Sequence, residues 1–193
     1  IAVDPQQGSE VSGSWGNPLV SQYLELVSRH TGLRFVTVRT KSWEESVRAF
    51  NDVLAAFAEP DPKRLIVSYQ IPIHDIDIAI AEVKRVVGMG AKSLQLPVFP
   101  SEFGLPEYFD ARYEPLFALM EETGLPICCH IGLNTNLDDL MRRDPTPNKG
   151  VMVPVTGLLT AEAFGMWIMG GVFEKFPRLN VVFVEPGLTW VVW

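Results

Sequence analysis

The chain has 193 residues, enough for one domain with a substantial core. With 47% of them hydrophobic, it is no disordered chain. A net charge of −7 argues against nucleic acid or an anionic membrane as partner, since both need concentrated Lys and Arg. No apolar run reaches the roughly 20 residues of a spanning helix, and nothing at the start has the pattern of a signal peptide. The two cysteines, Cys128 and Cys129, are neighbours. A disulfide between adjacent residues is strained, so two free thiols in a reducing, cytoplasmic compartment are expected.

Residues 1–20 are rich in Gly, Ser, Pro and Gln and read as loop. Tyr23, Leu26 and Val27 suggest a short helix, stopped by Gly32 and carrying His30 at its C-terminal end, where the helix dipole favours it. Phe35 to Val38 reads as a strand. Ser42 with Glu45 forms a capping-box pattern ahead of Val47, Phe50, Leu54 and Phe57 at helical spacing. Pro60 and Pro62 end that helix, and Leu65 to Tyr69 is the next predicted strand. Asp75 caps a helix whose predicted apolar face is Ile76, Ile80, Val83 and Val87, closed by Gly88 and Gly90; His74, beside the cap, is expected at the surface.

Ser93 to Leu96 reads as a strand halted by Pro97. A loop with Pro100, Gly104 and Pro106 leads to a helix carrying Leu116, Leu119 and Met120, punctuated by Gly124. The run Pro126 to Gly132 is then an apolar strand that closes on His130. Residues 133–155 break the rhythm with a long polar excursion; a loop of that length in a domain of this size points to a functional lid or to disorder. Phe164, Trp167, Ile168 and Val172 resume a helix, and Val181 to Val184 is the last clear strand, ending on Glu185.

Strands alternating with helices imply parallel pairing. Apolar strands with little alternation fit a sheet covered on both faces, as in a (β/α)8 barrel or an open doubly wound sheet. No Gly-rich dinucleotide fingerprint or phosphate loop opens a helix, and His130 and Glu185 sit at strand ends, which favours the barrel. A histidine there can ligate a metal, move a proton, or merely satisfy a buried carbonyl. A zinc site made from Cys128, Cys129 and His130 is disfavoured. Strand neighbours face opposite ways, and there is no second Cys cluster.

Three stretches together resemble one family. Arg64 to Asp75 with Gly88 to Pro97, Tyr113 to Gly132, and the Gly170, Gly171, Val172, Phe173, Phe176, Pro177, Leu179 signature leading to Glu185 are similar to the amidohydrolase-2 proteins. The resemblance covers roughly residues 45–193. It implies an α/β fold, the (β/α)8 TIM barrel, with this chain as one domain over 1–193 spanning about strands two to six and incomplete at both ends. The His-x-His or Glu-x-His of strand one and the Asp of strand eight, usual in the family, are not found here. Flanking sequence is therefore expected.

The resemblance implies His130 as the fifth-strand ligand of a divalent metal, with zinc the expected ion. Glu185 stands where the family's decarboxylases carry histidine, which favours metal-dependent hydrolysis of a small organic acid or cyclic compound. In this reading Glu185 moves a proton or orients water, the 133–155 loop covers the site, and Asn134 and Trp190 contact substrate. A decarboxylase of the same fold, distinguished by CO2 release, is the enzymatic alternative. A non-catalytic barrel relative is the other. Homo-oligomer formation stays open.

Overall fold

The structure, a computed structural model, describes residues 43–130, 142–148 and 150–187. Apart from residues 43–46, these belong to the unit Val47–Trp193. The helix predicted near Tyr23, the strand at Phe35 to Val38, the Ser42 cap, and the site residues Asn134 and Trp190 lie outside the described residues.

Helix α1, Trp43–Ala58, opens with Glu44 and Glu45, whose charge suits a helix N-terminus. Strand β1 is Tyr69–Gln70. The predicted strand began four residues earlier, at Leu65, and that expectation is corrected. Ladder bonds start only where the next strand runs alongside: Tyr69 N–H donates to Ser93 O and Ile71 N–H to Gln95 O. Upstream, Val67 O takes the Ser93 hydroxyl instead, at 3.1 Å.

Helix α2, Ile76–Gly88, is capped as expected: Asp75 Oδ1 accepts from Asp77 N at 2.9 Å and Ile78 N at 3.1 Å. Its buried face, however, is Ala79, Glu82, Val83 and Val86, and Val87 is exposed. Of the predicted face, Ile76, Ile80 and Val83 do pack on the core; Val87 does not, and buried Glu82 joins a polar cluster. Strand β2 is Leu94–Leu96, helix α3 is Glu114–Thr123, and strand β3 is Ile127–His130. Gly124 ends α3 in the left-handed conformation, φ 66°, which a glycine adopts without steric cost.

Helix α4, Met152–Met169, starts inside the predicted 133–155 loop, so the end of that loop is helical. The helix predicted from Phe164 through Val172 is two: α4, then α5, Val172–Lys175, separated by Gly170 and the left-handed Gly171. Strand β4 is Val181–Val184.

The four strands are parallel and adjacent in chain order, β1-β2-β3-β4. Strand alternation and register divide the side chains into two faces. Tyr69, Leu94, Leu96, Ile127 and Cys129 share a core with Val83 and Val86 of α2, Leu116 and Phe117 of α3, Trp167 of α4 and Val172 of α5. All these helices therefore cover one face of the sheet. A doubly wound sheet reverses its strand order and carries helices on both faces. Among the described residues the sheet does neither, and it is wound as a (β/α) barrel is wound.

The opposite face carries Gln70, Gln95, Cys128, His130, Val182 and Val184, none of them fully buried. The expectation of strands apolar on both faces is thus corrected for the described sheet. Fully buried Leu94, Leu96 and Ile127 each stabilise the helix-covered face by about 1.5–3 kcal/mol. Between α3 and α4, Phe117 lies 5.4 Å from Trp167, and Tyr108 lies 4.8 Å from Trp167.

Candidate functional site

In a parallel sheet all strands end on one edge, and β3 and β4 end there on the two residues that matter. His130 is the last residue of β3, paired in register with Val184, and Glu185 follows Val184 directly. Nε2 of His130 stands 3.4 Å from Oε2 of Glu185. The imidazole is 35% exposed and the carboxylate 70%. Glu185 has φ 59°, the left-handed region that an L side chain enters at a cost of about 1–3 kcal/mol. That turn swings the chain off the end of β4. Gly187 then lies beside α4, where a Cβ would make ordinary contact with Gly157 Cα at 3.7 Å.

The loops at this edge are tied down from below. Tyr108 Oη donates to Pro97 O at 2.7 Å and Tyr113 Oη to Pro106 O at 2.8 Å, fixing both ends of the stretch after β2. Burial pushes the Tyr108 phenol well above its ordinary range and Tyr113 up to about 12, so both stay protonated donors. Arg112 Nη2 donates to His74 O at 3.1 Å and joins the loops after β1 and β2. His74 is half-buried rather than at the surface. In the stretch after β3, Asp144 is buried, its carboxylate accepting from Thr146 N at 2.8 Å and Val151 N at 3.0 Å.

Below His130 the inner face carries a polar row that sequence reasoning passed over. Gln70 pairs with Gln95, and Gln95 with Cys128, across three adjacent strands. The signal was legible: Leu94, Gln95 and Leu96 alternate apolar, polar, apolar. Cys128 and Cys129 are both free thiols, as expected. Burial raises the Cys129 thiol, with Cys128 a smaller contributor.

On donor chemistry the imidazole nitrogen of His130 fits a divalent ion, and the Glu185 carboxylate, 3.4 Å from it on the same strand edge, is within reach of anything held there. Among the described residues no group of three His, Cys, Asp or Glu could hold a metal. A cleft of about 280 Å³ lined by Ala55, Ala58, Leu65, Tyr69 and Met89 lies at the other end of the strands, away from this pair. Among the described residues no helix is long and apolar enough to cross a membrane.

Comparison with known proteins points one way. A family profile described as amidohydrolase matches residues 21–192. An amidohydrolase from Mycobacterium avium subsp. paratuberculosis K-10 superposes with TM-score 0.64 at 25% identity, over 77% of this chain and 39% of its own. The 2,6-dihydroxybenzoate decarboxylase from Rhizobium gives TM-score 0.55 at 24% identity, over 78% of this chain and 48% of its own. A dihydroxybenzoic acid decarboxylase from Polaromonas sp. JS666, with bound manganese and the inhibitor 2-nitroresorcinol, gives 0.54 at 23% identity, over 78% and 47%. The chain spans less than half the length of each of these structures.

Proposed function

The chain belongs to the amidohydrolase family, and on that premise we propose that it works in a metal-dependent hydrolase acting on a small organic acid or cyclic compound. The observation that carries this reading is the convergence of His130 Nε2 and Glu185 Oε2, 3.4 Å apart at the C-terminal edge of a singly wound parallel sheet. That edge is where barrels of this kind hold their chemistry.

In this reading His130, as neutral imidazole, holds a divalent ion. The imidazole donor favours zinc over manganese. Such an ion, when bound, supplies a Lewis-acid centre that polarises an oxygen and makes water acidic near neutral pH. Glu185 takes and returns the proton of the attacking water; its exposed carboxylate leaves it open to solvent and substrate alike. Asn134 and Trp190 contact the substrate, and the stretch between β3 and α4 closes over it. The two free thiols suit a reducing, cytoplasmic setting.

Decarboxylation is the second reading, favoured by the two decarboxylase structures that share the fold. Release of CO2 from a carboxylated substrate separates the two.

The test of the site is metal content. Elemental analysis of His130→Ala, folded by circular dichroism, should find the divalent metal lost or reduced at least about tenfold in affinity. Wild-type stoichiometry in the folded variant would remove His130 from the ligand set.

A further inference from the structure

Barrels of this kind hold their chemistry at the C-terminal ends of the strands, so a cleft at the opposite ends is not part of that site. The cleft of about 280 Å³ found there lies between the last turn of α1, the stretch leading into β1, and the turn from α2 to β2. Two side chains fix its walls ahead of the first ladder bond at Tyr69. Lys92 Nζ donates to Pro62 O, and the Ser93 hydroxyl donates to Val67 O at 3.1 Å. Past the end of α2 the chain turns at Gly90, φ 87°, and returns along the cleft to Lys92.

Interior and rim differ in chemistry. Inside, the small side chains of Ala55 and Ala58 leave room beside the ring of Tyr69, which is 5% exposed. Met89 carries the apolar lining outward and is partly in water. At the rim stand two exposed charges of opposite sign, Glu59 and Lys92. Glu59 directly follows α1, whose last turn holds no basic residue. The carbonyl end of the helix and the carboxylate therefore add up to a place for a cation. Lys92, steadied by Pro62 O, has further ammonium protons to offer an anion.

These features select the occupant by charge. A neutral apolar molecule would cover both charges without pairing either, which is costly. A plain anion would meet Glu59, and a plain cation Lys92. An α-amino acid with an aliphatic side chain carries an ammonium, a carboxylate and an apolar arm on one carbon.

We propose that this cleft binds a free aliphatic α-amino acid, with its ammonium at Glu59 and the end of α1, its carboxylate at Lys92, and its side chain against Ala55, Ala58 and Tyr69. The site is separate from His130 and Glu185, and it does not depend on the hydrolase reading.

L-Leucine is the probe. Isothermal titration calorimetry on the full-length protein should show it bound. Two analogues, 4-methylpentanoate without the ammonium and isoamylamine without the carboxylate, should each bind at least about tenfold more weakly. Glu59→Gln, at an exposed position, should fold and lose leucine affinity at least about tenfold. Ala55→Leu fills the cleft with a good helix former and should abolish binding. His130→Ala should bind leucine as the wild type does, whatever its metal content.

Any one of four results overturns the assignment. The wild type binds no leucine at millimolar concentration, or it binds either analogue as tightly as leucine. A folded Glu59→Gln or Ala55→Leu keeps leucine affinity within about twofold of wild type. Or His130→Ala loses leucine binding, which would put the ligand at the other end of the strands.

Discussion

Glu185 combines two properties at one residue: a carboxylate facing His130 and a left-handed backbone, φ 59°. A non-glycine residue in that conformation gives up stability, and such strain collects at functional sites. The two properties separate by substitution. With Glu185→Gln, which preserves shape, we expect retained metal and turnover reduced by on the order of 100-fold or more. With Glu185→Gly we expect a similar loss of turnover together with a higher Tm, since glycine tolerates the conformation. Steady-state kinetics and thermal unfolding read both; wild-type turnover in the glutamine variant would take proton transfer away from Glu185.

At the scale of elements, the sheet and two helices are joined through one polar cluster. Asn51 on α1 pairs its amide with both backbone groups of Gln70 in β1, as a neighbouring strand would. It also meets Glu82 on α2, which in turn accepts from Arg85 Nε at 2.8 Å and Nη2 at 2.7 Å. Arg85 Nη1 closes the loop back to Asp52 on α1 at 2.6 Å. Glu82, before all else, holds the Arg85 guanidinium above its ordinary range, so it stays charged.

Removing one member of a buried cluster leaves the others unpaired, which costs more than one hydrogen bond contributes. Asn51→Ala should therefore destabilise the fold by about 3 kcal/mol in urea unfolding. A loss below about 0.5 kcal/mol would mean the cluster is dispensable. This cluster also explains why the burial of Glu82 could not be read from apolar spacing: it is buried because Arg85 and the distant Asn51 answer it.

At the scale of the whole molecule, the sheet separates two environments that the sequence sets side by side. Cys129 points into the helix-covered core, and burial raises its thiol; Cys128 points to the inner face and is only partly buried. A raised thiol is protonated and inert at pH 8, and reagent reaches it only when the fold opens. Under native conditions one thiol should react with a disulfide reagent, and two after denaturation, the second following the rate of global opening. Two equally fast native thiols would contradict the assignment of faces.

Much was legible without coordinates. Strand and helix alternation determined the parallel pairing, Asp75 and Gly124 marked helix ends, and the runs closing on His130 and Glu185 marked two strand ends. These are local properties: side-chain periodicity, capping chemistry and the conformational freedom of glycine act within a few residues of sequence. What the tertiary structure decided is non-local. That helices α2 to α5 lie on one face, that β1 begins at Tyr69, that Glu82 turns inward, and that His130 and Glu185 meet at 3.4 Å all depend on which strand lies beside which. Residues 55 positions apart become neighbours only through the β3–β4 register, which is fixed when two strands distant in sequence pair.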